Sequence, residues 1–178
     1  MIKNKSDLIY YLRQDKQALK VKGSIKDYLF NDIWKFQKLL RKTEYYSNTN
    51  KKIRTIFYRI ALYRMSLKLG FSIPINTCGA GLSIAHIGTI VISGKARIGE
   101  NCRIHVCVNI GASAHDSHAA PKIGNNCYIG PGAKLYGSIE LGDNIAIGAN
   151  SVVNKSFNTE GVIAGVPARK ISEQKLVR

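Results

Sequence analysis

The chain has 178 residues, with 27 Lys and Arg against 11 Asp and Glu, so its formal net charge is +16. This length allows one fair-sized domain, or one domain with a short appendage, and excludes two large independent cores. No apolar run approaches the ~20 residues of a membrane span, and the charged start, MIKNKSDLIYYLRQDK, lacks the pattern of a signal peptide. We therefore expect a cytoplasmic protein.

Positive charge is concentrated in the first part of the chain. Residues 1–70 contain 17 Lys and Arg against 5 Asp and Glu, a net charge of +12, whereas residues 71–178 contain 10 against 6. Such a field favours an anionic substrate, nucleic acid or an anionic membrane face, and the alternative is an ordinary solvated helical surface. No nucleic-acid-binding signature is present, so we expect no nucleic-acid partner and leave peripheral contact with the inner membrane face open.

Apolar residues in the first 70 positions recur at helical spacing. In the segment IRTIFYRIALYRMSLKLG they are separated by arginines and recur at three and four residues. The members of this stripe are Ile53, Ile56, Phe57, Ile60, Ala61 and Leu67. We predict an α-helical region that ends near Gly70, and we expect its last helix to pack against its own domain rather than against a membrane.

Beyond residue 74 the period becomes six. Aliphatic residues occupy positions 98, 104, 110, 123, 129, 135, 141, 147 and 153. Three positions after most of them comes a residue type that tolerates a left-handed backbone conformation. These residues are Asn101, Asn126, Gly132, Asn144 and Asn150. A chain that runs straight, turns and repeats every six residues predicts a parallel β-helix around one continuous aliphatic column.

The four cysteines have neither CxxC spacing nor polar surroundings. They are Cys78, Cys102, Cys107 and Cys127. We expect all four to be reduced, small core residues, because the pattern is typical neither of a disulfide framework nor of a zinc site.

Three segments together resemble the hexapeptide-repeat acyltransferases. They are GLSIAHIGTIVISGKARIGENCRIHVCVNIGAS, PKIGNNCYIGPGAKLYGSIELGDNIAIGANSVV and IAGVPARKI, in that order. The resemblance is closest to serine O-acetyltransferases and to related acetyltransferases of surface-polysaccharide synthesis. It implies a left-handed parallel β-helix over residues 71–171, preceded by the helical region 1–70 and followed by a tail, 172–178. It further implies a homotrimer, or a dimer of trimers, that uses acetyl-CoA as co-substrate.

One histidine interrupts the apolar segment LSIAHIGTIVIS. Counting the six-residue frame backward from Ile98 gives Ile92 and then position 86, so the frame predicts an aliphatic residue where His86 stands. A lone histidine in such a segment is usually a packed core residue. The resemblance instead implies that His86 is the catalytic base, which takes the proton of an acceptor hydroxyl as that hydroxyl attacks the thioester directly.

The repeat breaks once, between Ile110 and Ile123, which are 13 residues apart instead of 12. The polar loop between them, GASAHDSHAAPK, contains His115, Asp116 and His118. Insertions in a β-helix protrude and often bind ligands, and the resemblance implies that a loop here contacts the acceptor. We rank Asp116 and His118 above His115 for acceptor binding, with a solvated loop tip as the alternative.

The resemblance also implies where acetyl-CoA binds, in the groove between two β-helices of a trimer. The corners around Gly130 and Ala149 correspond to the binding site of the pantetheine chain. Lys155 and Arg169 correspond to positions near the phosphates, where a cation has an anionic partner. The alternative is that each of these two cations is an ordinary surface charge.

Two departures from the serine acetyltransferase pattern bear on the acceptor. Those enzymes have an Asp before the catalytic histidine, where this chain has Ala85, and an upstream Asp that the segment FSIPINT lacks. We therefore predict a saccharide acceptor of surface-polysaccharide synthesis, with L-serine O-acetylation for cysteine synthesis as the alternative. A backbone carbonyl, Asn76, or Asp116 from a neighbouring copy are the candidates for orienting His86.

Two other classes of function are weaker alternatives. His86 and His105 are 19 residues apart, close to one coil, and β-helix enzymes of the carbonic-anhydrase type bind zinc through three histidines between subunits. We expect no metal, because His105 more plausibly faces solvent or packs at a corner. A non-catalytic trimeric scaffold is the other alternative, since fold alone does not establish function.

Overall fold

The computed structural model describes residues 1–174, apart from the side chains of residues 26 and 28. Most of the predicted tail, 175–178, lies outside the described residues. The chain begins with α1 (Lys5–Ala18), α2 (Ile25–Phe30), α3 (Asp32–Asn48) and α4 (Lys52–Leu69). Gly70 ends α4 in the left-handed conformation, with φ 75°, as the sequence predicts.

Short strands follow the helices. They are β1 (Phe71–Ser72), β2 (Ser83–Ile84), β3 (Ile90–Ile92), β4 (Arg97–Ile98), β5 (Arg103–Ile104), β6 (Val108–Gly111), β7 (Lys122–Ile123), β8 (Tyr128–Ile129), β9 (Lys134–Tyr136), β10 (Glu140–Leu141), β11 (Ile145–Ile147), β12 (Val152–Val153), β13 (Gly161–Gly165) and β14 (Ala168–Ser172). They form a five-stranded sheet β1-β3-β6-β9-β12, a three-stranded sheet β10-β7-β4 and a six-stranded sheet β14-β13-β11-β8-β5-β2. Every pair is parallel except the final pair, β13 and β14. The chain thus visits three sheets in turn, which is the architecture of a three-sided parallel β-helix.

The interior of the β-helix is a stack of aliphatic side chains in register. In the six-stranded sheet the inward stack is Ile84, Ile104, Ile129, Ile147 and Ile163, each at most 1% exposed. The predicted left-handed corners are confirmed, with φ between 55° and 59° at the four asparagines and 75° at the glycine. Each of these five corners therefore uses a residue that reaches this conformation at low cost, and the straight segments between corners bury the column.

Counting the six-residue period backward assigns an inward position to residue 86, and this assignment is wrong by two residues. Ile84, and not residue 86, pairs with Ile104 and points inward. Five residues, 85–89, separate Ile84 from Ile90, whereas three, 105–107, separate Ile104 from Val108 in the next coil. The first corner of the β-helix therefore contains two extra residues, and His86 lies on this wider turn, exposed to solvent.

A buried charge cluster joins the helices to the start of the β-helix. The guanidinium of Arg41, in α3, is fully buried and binds Asp15 (Nε–Oδ2 2.8 Å) and Glu44 (Nη1–Oε2 3.1 Å). The same guanidinium donates to the carbonyls of Cys78 and Gly79. Burial opposes the charge, but the carboxylates of Glu44 and Asp15 outweigh it and hold the pKa of Arg41 above its ordinary value.

The Asp15 carboxylate completes this connection to the first coil. Its Oδ1 accepts from the backbone N–H groups of Gly81 and Leu82, while Gln37 donates to the carbonyl of Leu82. Phe36 and Leu40 extend the aliphatic column of the β-helix into α3. The helices therefore cover the open end of the β-helix and satisfy backbone groups that another coil would otherwise pair.

Two details differ from the sequence expectations. Helix α4 packs against its own domain as expected, but through a different face from the predicted apolar stripe. In that stripe Ile53, Phe57 and Leu67 are 85%, 66% and 66% exposed. Three of the cysteines are buried as expected, but Cys107 is exposed. Cys107 also lies three positions after Ile104, in the left-handed slot of the repeat, with φ 61°.

Replacing Arg41 by Met should destabilise the fold strongly. The substitution leaves Asp15 and Glu44 buried without their cation, so we expect the free energy of unfolding to fall by about 3–5 kcal/mol. Urea denaturation followed by circular dichroism measures this loss. The exposed Lys95→Met is the matched control, expected to change stability by less than about 0.5 kcal/mol, and an equal effect of both variants would contradict the structural role of Arg41.

Replacing Cys107 by Asn should stabilise the protein. Asn adopts the left-handed conformation more readily than Cys, so we expect a gain of up to about 1 kcal/mol in the free energy of unfolding. The reciprocal control is Asn126→Cys, which places cysteine in an equivalent slot at φ 55° and should lose a similar amount. Thermal denaturation of both variants checks the pair, and a loss of stability in Cys107→Asn would show that another contact of the thiol dominates.

Candidate active site

The candidate residues lie on two different edges of the β-helix. We call the segments 85–89, 105–107, 130–132 and 148–150 the first corner, because each follows a strand of the six-stranded sheet and leads to the five-stranded sheet. The second corner consists of 93–96, 112–121, 137–139 and 154–156, which lead from the five-stranded to the three-stranded sheet. His86 belongs to the first corner.

Three aromatic rings form a row that begins at His86. The ring of His105, one coil further on, lies with its centroid 5.8 Å from that of His86. The ring of Tyr128 follows at 4.8 Å from that of His105. Arg103 fixes the middle of this row, since its Nε donates to Nε2 of His105 at 3.4 Å and its Nη1 donates to Ser83 Oγ at 2.9 Å. His86 therefore has a positioned aromatic neighbour on one side and solvent on the other.

Sequence reasoning missed Arg103, Tyr128 and Ser83, although the repeat contains the signal. Each directly precedes an inward-facing isoleucine. Because successive side chains of a strand point to opposite faces, each of the three points to the outer face of the six-stranded sheet. Strand pairing then aligns Ser83 with Arg103 and Arg103 with Tyr128. A polar and aromatic ladder beside the histidine could therefore have been recognised from the frame.

This ladder forms one wall of a groove of about 780 Å³. The C-terminal end of α1 provides the opposite wall through Gln14 and Gln17, together with Lys20 just beyond the helix. Its volume is within the range of small-molecule sites. Tyr128 belongs both to the groove and to the ring row, whereas His86 and His105 do not line the groove.

The structure places three of the four predicted cofactor residues at or beside the first corner. Gly130 and Ala149 occupy it directly, one coil apart. Arg169 lies on β14, paired with Ala164 at the continuation of the same edge, and is exposed. Lys155 instead lies at the second corner, with its ammonium group 5.5 Å from the ring of Phe157.

The polar loop 112–121, which the sequence predicts to contact the acceptor and which we call the acceptor loop, is also at the second corner. The Ser113 N–H donates a hydrogen bond of 2.8 Å to the carbonyl of Ala119 across the base of the loop. Within the loop, Asp116 Oδ1 accepts from the His118 N–H. His115, Asp116 and His118 are all exposed. Strand β6 separates this loop from the first corner by roughly 13 Å of extended chain. One copy of the chain therefore does not bring Asp116 or His118 to its own His86.

Asn76 does not orient His86. Its side chain forms a reciprocal pair with Asn48, at 2.9 and 3.0 Å, and its N–H donates to Glu44. Within residues 1–174 no cluster of three or more His, Cys, Asp or Glu side chains is arranged to hold a metal ion. In the same part of the chain no helix is long and apolar enough to cross a membrane.

Comparison with known proteins agrees with this architecture. Residues 120–155 match the family described as Bacterial transferase hexapeptide (six repeats). Within these residues the chain carries the hexapeptide repeat of that transferase family. A serine acetyltransferase of Brucella abortus, solved in complex with coenzyme A, superimposes with a TM-score of 0.76 at 27% identity, over 97% of this chain and 71% of that structure. The left-handed parallel β-helix preceded by helices is thereby confirmed.

Known relatives with similar sequences are serine acetyltransferases. The enzyme of Synechococcus elongatus is 36% identical over 94 residues, which cover 52% of this hexapeptide-repeat chain and 38% of the relative. The enzyme of Buchnera aphidicola is 30% identical over 178 residues, or 96% of this chain and 64% of the relative. The chain thus spans less than two thirds of the length of these curated relatives.

Proposed function

We propose that this chain is an O-acetyltransferase that moves the acetyl group of acetyl-CoA to an acceptor hydroxyl. The observation that carries the proposal is the position of His86, exposed on the first corner next to His105, with Gly130 and Ala149 on the same edge. A base at one end of an edge and small residues along it leave room for a long thioester to lie beside the β-helix. The similarity to serine acetyltransferases supports the same reaction class. Because acetyl-CoA is used inside the cell, the proposal implies a cytoplasmic location.

His86 acts as general base in a direct transfer. It takes the hydroxyl proton while the acceptor oxygen bonds to the acetyl carbon; the carbon–sulfur bond then breaks, and His86 returns the proton to the CoA thiolate. The buried cysteines do not compete as nucleophiles. Burial raises the pKa of Cys78 to about 11, and a hydrogen bond with Cys127 together with burial raises that of Cys102 well above its ordinary value.

The first corner offers a backbone surface for the pantetheine chain. The N–H groups of Gly130 and Gly148 donate to the carbonyls of Ile147 and Ile163, so they hold the coils together and are not the donors for the oxyanion. Those donors must therefore come from other groups at this edge. Arg169, exposed beyond the last coil, is suited to a phosphate of the cofactor.

A homotrimer supplies the residues that one copy lacks. The acceptor loop of the second corner reaches the first corner of a neighbouring copy in this arrangement, so that Asp116 and His118 act on the His86 of the neighbour. Lys155 lies on the same corner as the loop and therefore also acts toward a neighbour's cofactor. The arrangement explains why an exposed histidine and an exposed polar loop lie at opposite ends of the five-stranded sheet.

L-serine is the acceptor that the relatives favour. Each of the two curated relatives described above is a serine acetyltransferase. The similarity to the Buchnera aphidicola enzyme covers 96% of this chain and therefore includes the segment that contains His86. We therefore rank L-serine above the saccharide that the sequence alone suggested. Its ammonium group would need a carboxylate that comes from another copy, because the first corner contains no Asp or Glu.

A saccharide acceptor remains the second candidate, supported by Ala85 and by the size of the groove that Tyr128 shares with the ring row. Its volume of about 780 Å³ exceeds what an amino acid needs, and its lining combines Tyr128 with the amides of Gln14, Gln17 and Asn101. Ala85, directly before His86, also leaves the site without the negative charge that an amino acid's ammonium group requires.

The role of His86 is tested with His86→Gln and a panel of acceptors. We expect the native protein to release CoA from acetyl-CoA when L-serine is supplied. The rate of release should fall about 10²–10⁴-fold in the variant, because the hydroxyl proton has no acceptor. CoA release is followed with a thiol reagent, and unchanged circular dichroism confirms folding. Release with a hexose or amino sugar but not with L-serine would move the assignment to the second candidate. Turnover that does not depend on His86 would contradict the mechanism, and zinc bound to the native protein would favour a metal enzyme.

The trimeric arrangement predicts complementation between two inactive variants. His86→Gln and His118→Ala should each lose activity alone, whereas co-expressed mixed trimers should regain part of it, because a neighbour's intact loop meets an intact base. Separately purified and mixed homotrimers serve as the control. Mixed trimers that remain inactive would show that base and loop act within one copy, or that His118 does not contact the acceptor.

A further inference from the structure

Helix α4 has two apolar faces, and within residues 1–174 only one of them packs against the rest of the protein. Leu62 and Leu69 are buried in the main core, and Met65 packs against it. The opposite face, which we call the α4 stripe, consists of large side chains that are all more than half exposed. They are Ile53, Ile56, Phe57, Ile60, Tyr63 and Leu67. At about 100° per residue these six side chains fall within about 120° of the helix circumference.

Positive charges border the α4 stripe on both sides, and Arg64 lies within its arc near the end of the helix. The helix contains Lys52, Arg54, Arg59, Arg64 and Lys68 and no Asp or Glu. Lys68 pairs with Asp32, and the Arg54 guanidinium lies 5.5 Å from the ring of Tyr46. Within residues 1–174, Arg59 and Arg64 make no ion pair with the protein. The net charge of the wider segment 1–70 is +12, from 17 basic and 5 acidic residues.

This charge pattern discriminates between two ways of covering the α4 stripe. A second copy that docked α4 against α4 would bring five cations toward five cations with no carboxylate on either helix, which is unfavourable. An anionic bilayer surface is complementary to both features at once. Its acyl boundary accepts the apolar stripe, its phosphates accept the flanking cations, and side chains such as Phe57 and Tyr63 are favourable at that depth.

We propose that α4 docks this protein onto an anionic membrane surface, lying in the plane of the membrane with the α4 stripe buried. Lys and Arg stems at the border of the stripe extend along it and place their charges at the phosphates. The proposal concerns a surface of the helical region and does not depend on the chemistry at His86.

Vesicle flotation with the full chain tests the proposal. We expect the protein to float with vesicles of phosphatidylcholine mixed with phosphatidylglycerol, and to float much less with phosphatidylcholine alone. The double variant Phe57→Ser/Ile60→Ser should bind the mixed vesicles at least about tenfold more weakly, because two buried apolar side chains are lost. Arg59→Gln and Arg64→Gln should each weaken binding about fivefold on mixed vesicles.

Matched controls come from outside α4. Ile171→Ser removes an apolar side chain that is 65% exposed, and Lys95→Gln removes an exposed cation, so neither should change flotation. Circular dichroism confirms that each variant is folded. Acetyl transfer to a soluble acceptor is measured in parallel, so that failure of vesicle binding and failure of the enzymatic proposal are separate results.

Two results would overturn the membrane proposal. One is flotation that is absent, or that does not respond to phosphatidylglycerol. The other is analytical ultracentrifugation in which Phe57→Ser/Ile60→Ser lowers the mass of the assembly, which would identify a second copy as the occupant of the α4 stripe.

Discussion

The buried guanidinium of Arg41 is the constraint on which the rest of the molecule depends. A β-helix has an open end, and at this end the backbone groups of residues 78–82 have no preceding coil to pair with. Arg41 and Asp15 together bind four of these groups, while the carboxylates of Asp15 and Glu44 neutralise the guanidinium. The first coil carries His86 just beyond this region. The geometry of the proposed base is therefore set by a charge cluster in the helices.

The sequence predicts the β-helix well because its repeat expresses a local rule. Every coil must place an aliphatic residue inward and a turn-tolerant residue at the corner, so position alone predicts the burial of Ile104 or the left-handed φ of Asn126. The rule fails at His86 because the widened corner 85–89 contains two extra residues, which shift the inward positions before it by two. Only pairing with the next coil, Ile84 to Ile104, reveals the shift.

The helical region was less predictable, because periodicity identifies apolar faces without identifying their partners. Helix α4 has apolar residues on two sides, and the stripe expected to be buried is the exposed one. In the same way, nothing in the spacing separates Arg41, which is fully buried, from the arginines of α4 that face solvent. Which of many cations is buried depends on where Asp15 lies, 26 residues away in sequence.

The division of the candidate site between two corners limits what similarity reveals about the acceptor. The base and the small residues of the first corner belong to the repeat, and this repeat is what the chain shares with serine acetyltransferases. The acceptor contacts that we propose lie instead on the loop 112–121 and at the residue before His86, where the repeat is interrupted or widened. An insertion or a single substitution at these places leaves the aliphatic column and the coil pairing intact. The shared architecture therefore constrains acetyl transfer more tightly than it constrains which hydroxyl is acetylated.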